Sequence, residues 1–291
     1  MQNLLTRFRR DLHQIPELDW QVPKTLAYVE AALAPLPCRL FHPIPQALCA
    51  FFDGGKEDTI GFRAELDALP IQEAEGRAYG SQHPGCMHAC GHDGHMAMLL
   101  GLAHSWEGVR DSLPHNLLLI FQPAEETTGG AADICGQGVL DEYGVTRMFG
   151  CHLWPGLPQG QAFARPGPMM ARSSEVTLTV QGRSVHIANR QQGNDALLAG
   201  AEFLRAAYAY MDAGFPPEEP RVLGFGRMES GRVRNALSDY TRLEGTLRVF
   251  NDQVFAQAQQ GLQALAAETA AQQGCRANLA FSPGYPPLLN D

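Results

Sequence analysis

The sequence has no long uninterrupted apolar run, and this absence argues against a membrane-spanning helix. A spanning helix needs about 20 consecutive apolar residues, whereas the apolar run from Met96 to Ala103 is far shorter. Positive charge is also scarce, since Lys and Arg number 22 against 31 Asp and Glu, for a formal net charge of −9. No basic cluster stands out, so we expect neither nucleic acid nor an anionic membrane as a partner.

Cysteine is sparse and scattered. The chain contains 7 cysteines, an odd number without regular spacing, which is not the pattern of a disulfide framework. The first residues, MQNLLTRFRRDLHQ, are charged and amphipathic, unlike the apolar segment of a secretion signal. We therefore expect a reducing, cytoplasmic location. No internal repeat is present, and an apolar content of 45% supports a buried core in one or two domains.

The residues most typical of metal chemistry lie in the segment 85–101, GCMHACGHDGHMAMLLG. An apolar run follows the histidines, which predicts a buried helix with Asp93 as its N-cap. Cys90 and His92 are then expected side by side on the loop that enters this helix. A thiolate and an imidazole held two residues apart are good ligands for zinc or a similar divalent ion. The alternative is a loop whose histidines hydrogen-bond only to the backbone.

Further acidic and imidazole side chains lie at or just past the ends of the strands predicted at 59–66, 116–122 and 148–152. They are Asp67, Glu125, Glu126 and His152. Each alone could belong to a solvated turn. However, the carboxyl ends of parallel strands share one edge of a sheet, so we expect these side chains to converge with Cys90 and His92. Two adjacent carboxylates after a buried strand need a positive partner, and a metal ion supplies one while leaving the second carboxylate free to act on water.

The second half of the chain predicts a different architecture. The strands expected at 174–180, 221–228, 239–249 and 276–282 alternate with helices capped by Asn194 and Asn251. This βαββαβ order is typical of a ferredoxin-like α+β unit, whose free edge strand invites pairing with a second copy. The expected fold class is therefore α/β: a mostly parallel-sheet domain at 1–171, continued by 283–291, with an inserted dimerisation (lid) domain at 172–282.

Motifs spread over nearly all of the chain resemble those of the metal-dependent N-acyl-amino-acid amidohydrolases of the aminoacylase/carboxypeptidase type. They are HQIPEL, GFRAELDALP, SQHPGCMHACGHDGHM, FQPAEE, CHLWPGLPQG, GRSVH and LEGTLRVF. The resemblance implies hydrolysis of a small N-acyl amino acid at a site with two divalent metal ions, for which Zn, Mn, Co and Ni are all suitable. It also implies a homodimer formed through residues 172–282.

The resemblance assigns roles to particular positions. The implied metal ligands are Cys90, His92, Glu126 and His152. Glu125 would be the general base, and Asp67 would orient and polarise the site. In the inserted domain, His186 would reach the active site of a partner subunit and stabilise the oxyanion. Asn235 and Arg248 would contact the carboxylate end of the substrate.

Three features depart from the family pattern. His186 is followed by Ile-Ala-Asn-Arg, where relatives carry small residues and then a proline, and Glu65 stands where they more often have Asp. The family pattern continues for roughly 80–90 residues past Asp291 and includes a last metal-binding histidine. We therefore expect a fragment or a truncated product with little activity.

Two other functions fit parts of the pattern. A non-catalytic descendant would keep the fold but bind ligand or one metal at best. A cysteine hydrolase would use Cys90 as nucleophile and His92 as base, but it would have no role for the paired glutamates, and residues two apart seldom reach each other correctly.

Overall fold

A five-stranded sheet organises the first of two units in this computed structural model, which describes residues 1–291. The units are Met1–Gln159 and Gly160–Asp291. The strands of the first unit are β1 Arg39–Phe41, β2 Leu48–Phe52, β3 Thr59–Glu65, β4 Asn116–Gln122 and β5 Val145–Gly150. Their order is β1-β2-β4-β3-β5, with β3, β4 and β5 parallel and β1 and β2 antiparallel. The sheet is therefore mixed, and the predicted parallel pairing holds for the three strands that precede the site residues.

Strand β4 is buried along its whole length because helices cover both faces of the sheet. The helices are α1 Gln2–His13, α2 Pro23–Leu33, α3 His92–Val109, α4 Ala131–Gly136 and α5 Val139–Glu142. Leu117, Leu119 and Phe121 pack in the core that includes residues of α1, α2 and α3. Leu118 and Ile120 point to the other face and pack with residues of α4 and α5. Each such side chain stabilises the fold by about 1.5–3 kcal/mol, which explains why the strand is a near-continuous apolar run.

The start of α3 corrects the prediction that Asp93 is its N-cap. Gly91 is the N-cap, with φ of 88°, a left-handed conformation that glycine adopts without strain. His92 is the first helical residue and is buried, not on an outward-facing loop. Asp93 lies in the first turn, where its carboxylate accepts a hydrogen bond from His13 Nδ1 at 2.8 Å. His13, which is distant in the sequence, therefore binds the carboxylate that the local sequence pattern predicts to cap the helix.

The second unit contains a four-stranded antiparallel sheet and two long helices. Its elements are β6 Gly167–Met170, β7 Arg172–Gln181, α6 Ala196–Ala213, β8 Arg221–Ser230, β9 Tyr240–Val249, α7 Asp252–Gln272, β10 Arg276–Phe281 and β11 Leu288–Asn290. The sheet order β10-β7-β9-β8 confirms the predicted βαββαβ arrangement. Alternate residues of β7, including Val176 and Leu178, pack with residues of α6 and α7 in one core. This packing explains the one-sided alternation in the sequence.

One of the two predicted helix caps of the second unit is wrong. Asp195, not Asn194, caps α6, because its Oδ1 accepts a hydrogen bond from the Leu198 N–H at 3.1 Å. The Asn251 cap of α7 is confirmed, with Oδ1 2.8 Å from the Gln253 nitrogen. Strands β6 and β11 pair with each other, so the last residues of the chain belong to this unit, which begins at Gly160. An inserted domain with limits at 172 and 282 stays a prediction.

None of the seven α-helices combines the length and the apolar content required to cross a membrane.

Candidate metal centre

The predicted convergence at the carboxyl ends of β3, β4 and β5 is present in the structure. Asp67, Glu125 and Glu126, and His152 follow these three parallel strands, and Cys90 and His92 lie at the start of α3. Potential ligand atoms form groups whose members lie within 4.8 Å of one another. The groups are Cys90-His92-His152, His92-Glu125-Glu126 and Glu65-His92-His95. His92 belongs to all of them and is therefore the centre of the cluster.

The hydrogen bond of His92 fixes the tautomer of its neutral ring. Its Nδ1 lies 2.8 Å from the backbone carbonyl oxygen of Asp67, which can only accept, so Nδ1–H is the donor. In the neutral ring, which is the form that binds a metal, the lone pair is on Nε2. This atom lies 3.7 Å from an oxygen of Glu125 and 3.7 Å from an oxygen of Glu126. Neither distance is a hydrogen bond, and ionised carboxylates have no proton to donate.

The buried His92 Nε2 and Glu126 Oε1 have no hydrogen-bond partner in the protein. Buried polar atoms without partners are rare and costly, since they lose water without a replacement. The His92 Nε2 lone pair and Glu126 Oε1 lie 3.7 Å apart. A cation bound between them would give both atoms a partner. The residues present therefore fit a divalent metal ion.

His152 presents a second nitrogen lone pair to the cluster. Its Nδ1 lies 2.7 Å from the carbonyl oxygen of Leu153 and must donate to it, which leaves the lone pair on Nε2. That Nε2 lies 3.8 Å from Cys90 Sγ. Both predicted histidine ligands thus have their proton fixed on Nδ1 by a backbone carbonyl, as is typical of metal-binding histidines.

The environment of Cys90 favours a metal ligand over a nucleophile. Burial, together with the neighbouring Glu126 and Glu125, raises the pKa of its thiol to about 12. A catalytic cysteine needs the opposite shift and a paired base, but the imidazole that contacts this sulfur is His152, not His92. A bound cation deprotonates a coordinating thiol regardless of these carboxylates. The predicted pairing of Cys90 as nucleophile with His92 as base therefore finds no support in this geometry.

Asp67 accepts hydrogen bonds from two of the predicted ligands, Glu126 and His92. It is fully buried, and its Oδ2 accepts a hydrogen bond from the Glu126 N–H at 3.0 Å while its backbone carbonyl holds His92. Burial raises the pKa of the Asp67 carboxyl, although the backbone N–H groups of Glu126 and Glu125 act in the opposite direction. The residue therefore orients neighbours, in keeping with the positioning role that the sequence implies.

The two adjacent glutamates differ in exposure. The Glu125 side chain is 38% exposed and the Glu126 side chain 20%. Burial and the Glu126 carboxylate raise the pKa of Glu125, while His92 lowers it. A more open carboxylate with a raised pKa suits proton transfer, and the more enclosed one suits ligation.

The predicted residues of the second unit lie on exposed segments. His186 Nδ1 accepts a hydrogen bond from the Ala188 N–H at 3.2 Å. His186 pairs with Ala236, which places it beside Asn235, whose carbonyl accepts from the Ile187 N–H at 3.1 Å. Arg248 is exposed on β9. The structure thus brings His186 and Asn235 together within this unit, and their roles stay predictions.

Sequence reasoning assigned no role to several buried polar residues near the cluster. His13 binds Asp93 and Glu73 through its two nitrogens, at 2.8 and 3.0 Å. His95 and Arg63 hold the pKa of Glu65 at about 2, although burial alone would raise it. A signal was present, because Glu65 lies in the motif GFRAELDALP and His95 in the motif SQHPGCMHACGHDGHM, both of which carry the family resemblance. The pairing itself spans 30 positions and leaves no local pattern.

Comparisons with known proteins place the chain among metallohydrolases. The profile of Peptidase family M20/M25/M40 matches residues 61–291. An N-acetyl-L-cysteine deacetylase of Bacillus subtilis (strain 168) is 33% identical over 294 residues, which cover 100% of this chain and 70% of that protein. An N-acetyldiaminopimelate deacetylase of Lacticaseibacillus casei (strain BL23) is 34% identical over 296 residues, covering 99% and 77%.

Two solved structures are also similar. A candidate aminohydrolase from methicillin-resistant Staphylococcus aureus has a TM-score of 0.94 at 32% identity, covering 99% of this chain and 77% of that one. The YXEP protein of Bacillus subtilis, a dinuclear metal binding peptidase, has a TM-score of 0.83 at 30% identity, covering 99% and 75%.

Proposed function

The chain belongs to peptidase family M20/M25/M40, and from this premise we propose that its cluster hydrolyses the amide bond of an N-acyl amino acid. The protein is a metal-dependent amidohydrolase. We assign two divalent ions to it, as in the dinuclear Bacillus subtilis relative. One observation carries the proposal: the Nε2 lone pairs of His92 and His152 face the unpartnered Glu126 carboxylate and the Cys90 sulfur.

The residues of the first unit supply distinct functions in this reaction. The proposed ligands are Cys90, His92, Glu126 and His152. Divalent ions bound to them supply Lewis acidity and lower the pKa of water towards neutrality. Glu125 takes the proton of the attacking water and returns it to the leaving amine. Asp67 keeps His92 in the required tautomer by accepting from its Nδ1–H through the backbone carbonyl.

The residues of the second unit complete the proposal. We assign to His186 the stabilisation of the oxyanion in a partner subunit, and to Asn235 and Arg248 contacts with the substrate carboxylate. These assignments follow the motif resemblance, and the exposure of the three side chains is compatible with them.

We further propose N-acetyl-L,L-diaminopimelate as the substrate, which would be converted to diaminopimelate and acetate in lysine biosynthesis. Several relatives at 34% identity carry the name N-acetyldiaminopimelate deacetylase. The second candidate is a broader hydrolase of N-acyl amino acids, including hippurate-type substrates. It is favoured by the N-acetyl-L-cysteine deacetylase, whose match covers 100% of this chain and 70% of that protein.

A substrate panel tests these proposals. Purified protein supplied with Mn²⁺ or Zn²⁺ is given N-acetyl-L,L-diaminopimelate, N-acetyl-L-cysteine, an N-succinyl amino acid and N-benzoylglycine, and amine release is measured. We expect the highest kcat/KM for the first compound and loss of turnover with a chelator. Similar kcat/KM for all would favour the broader hydrolase. Metal binding without turnover of any compound would favour the non-catalytic descendant.

A further inference from the structure

His95 differs from the two histidine ligands because both of its nitrogens are already hydrogen bonded. The ring is buried, with only 1% exposure. Its Nε2 lies 2.9 Å from the backbone nitrogen of Leu153, and a backbone N–H can only donate, so Nε2 is the acceptor. The ring proton is therefore on Nδ1, which donates to Glu65 Oε2 at 2.8 Å. No lone pair remains on His95 for a cation, although it lies within the Glu65-His92-His95 group.

Glu65 extends this arrangement to the neighbouring strand. Its second carboxylate oxygen accepts a hydrogen bond from Arg63. The Nε of Arg63 donates to Gln122 Oε1 at 2.8 Å. Gln122 is the last residue of β4 and immediately precedes the Pro-Ala-Glu-Glu loop. A continuous chain of hydrogen bonds therefore runs from the end of β4 through β3 and α3 to Leu153.

Leu153 connects this chain to the proposed ligand His152. Its backbone N–H is held by His95, while its carbonyl oxygen holds His152 Nδ1 at 2.7 Å. The peptide unit that joins His152 to Leu153 is thus fixed directly after the ligand. The His152 ring also packs edge-on against the His95 ring, with centroids 4.7 Å apart.

Gly91, the N-cap of α3, and Gly94 in its first turn provide the space for this contact. A Cβ atom built on Gly94 would lie 2.5 Å from Leu153 Cδ1, and one on Gly91 would lie 3.5 Å from it. The small residues beside Cys90 and His92 therefore let the Leu153 loop approach the helix closely enough for its N–H to reach His95.

We propose that His95 is a positioning residue that sets the place of His152 relative to Cys90 and His92 by holding the Leu153 N–H. This inference rests on the proposed metal centre. His92 and His95 are one helical turn apart on α3, so the same helix carries one ligand and the residue that places another. Residues that orient metal ligands typically change metal affinity 10–100-fold when mutated.

Two substitutions separate the hydrogen bonds of His95. In His95→Gln, the amide oxygen lies near the former Nε2 position and can accept from Leu153, but the bond to Glu65 is lost. In His95→Asn, the amide nitrogen lies near the former Nδ1 position and can donate to Glu65, but nothing reaches Leu153. His104→Asn makes the same change on the same helix, away from the cluster, and is the matched control.

The experiment is a Co²⁺ titration of metal-free protein, followed by visible absorption and accompanied by a thermal melt of each variant. We expect His95→Asn to lower Co²⁺ affinity by about 10–100-fold and to change the band shape, while His95→Gln and His104→Asn remain close to the parent. Equal affinity for His95→Asn and the parent overturns the inference. Equal losses in His95→Asn and His95→Gln, with normal melts, overturn it as well. If the parent itself binds no Co²⁺, the metal centre is wrong and the positioning role falls with it.

A measurement on the unmodified protein does not depend on any variant folding. Amide hydrogen exchange of the metal-free parent should find the Leu153 N–H protected relative to the exposed amides of Trp154, Gly156 and Leu157. Rapid exchange at Leu153 would mean that the bond to His95 does not persist, and the positioning role would be refuted even if the metal centre stands.

Discussion

At the residue scale, hydrogen bonds distinguish ligands from supporting residues more clearly than distances do. His92 and His95 both lie close to carboxylates and both are buried to 1% exposure. His92 has one nitrogen without a partner, whereas His95 has none. A histidine can bind a cation only through a free lone pair, so the two residues serve different purposes despite belonging to the same motif.

The two adjacent glutamates should respond differently to the same substitution. Glu125→Gln should retain the metal and lose 10²–10⁴-fold in turnover, as is typical when a general base is removed. Glu126→Gln should instead weaken metal affinity, because it replaces a buried, unpartnered carboxylate oxygen. Metal stoichiometry and kcat, measured on both variants, check this. Exchanged phenotypes would mean that base and ligand are assigned the wrong way round.

His13 should make stability depend on pH. Its hydrogen bonds to Asp93 and Glu73 raise its pKa above 6.5, although burial opposes them. A raised folded-state pKa means that the contribution is complete below the unfolded pKa and is lost as pH rises through the folded one. We therefore expect the free energy of unfolding of metal-free protein, relative to His13→Asn, to be larger at pH 6 than at pH 9.

Urea unfolding at both pH values measures this difference, and the variant cancels the contribution of other titrating groups. A difference that stays constant or grows between pH 6 and pH 9 would contradict a charged His13 in the folded state.

At the element scale, the loop that carries the glutamates is held by a segment near the start of the chain. Thr127 donates a hydrogen bond to Asp19, and Trp20 Nε1 donates to Thr128 Oγ1 at 2.9 Å. Ala124 and Asp19 both have φ of 56°, a left-handed conformation that costs a residue with a Cβ about 1–2 kcal/mol. We call the two hydrogen bonds, Thr127 to Asp19 and Trp20 to Thr128, the brace. Because a strained residue lies in each of the two segments that the brace joins, the surrounding contacts must compensate for that strain.

Asp19 offers a matched test of the brace. Asp19→Ala removes the acceptor for Thr127 and the local preference for left-handed backbone, so we expect a loss of about 1–3 kcal/mol in unfolding free energy. Asp19→Asn keeps a carbonyl oxygen and tolerates this conformation, so it should stay within about 0.5 kcal/mol of the parent. Denaturant unfolding measures both. Equal losses would indicate that charge, not the bond or backbone, makes Asp19 important.

The elements that could be predicted from sequence are those with strong local signals. Helix α2 lies at its predicted residues because Pro23 opens it, and β4 does so because both of its faces are apolar. The short strands β6 and β11 have too few residues for a recognisable period. The cap at Asp93 was wrong because His13, 80 positions away, binds that carboxylate.

The candidate metal centre could also be predicted in part, because several of its residues follow strands with strong local signals. Asp67, Glu126 and His152 each follow a strand of the parallel part of the sheet, so their position at one edge can be predicted before any of their contacts is known. The chain of hydrogen bonds through His95 to Leu153 joins residues 58 positions apart. Such pairings depend on how the loop after β5 packs against α3 in the folded protein, and they have no signature in the local sequence.

At the scale of the whole molecule, the second unit has its own core, formed by residues between Val176 and Leu279. Its sheet ends on β8 and β10, and an edge strand leaves backbone groups free to pair with another chain. On β8, which has 10 residues, the Val222 side chain is 62% exposed and Met228 is 37% exposed. A free edge strand of this length favours pairing with a second copy.

We therefore expect a homodimer that pairs through β8. Light scattering at micromolar concentration should give twice the chain mass, and Val222→Lys should shift the protein to the monomer, since a lysine on an edge strand opposes pairing. Ala280→Lys makes an equally charged change on β10, the opposite edge, and should leave the dimer intact. A monomeric parent would contradict the prediction. Loss of the dimer in Ala280→Lys alone would move the interface to β10, because only the edge that pairs is sensitive to an added charge.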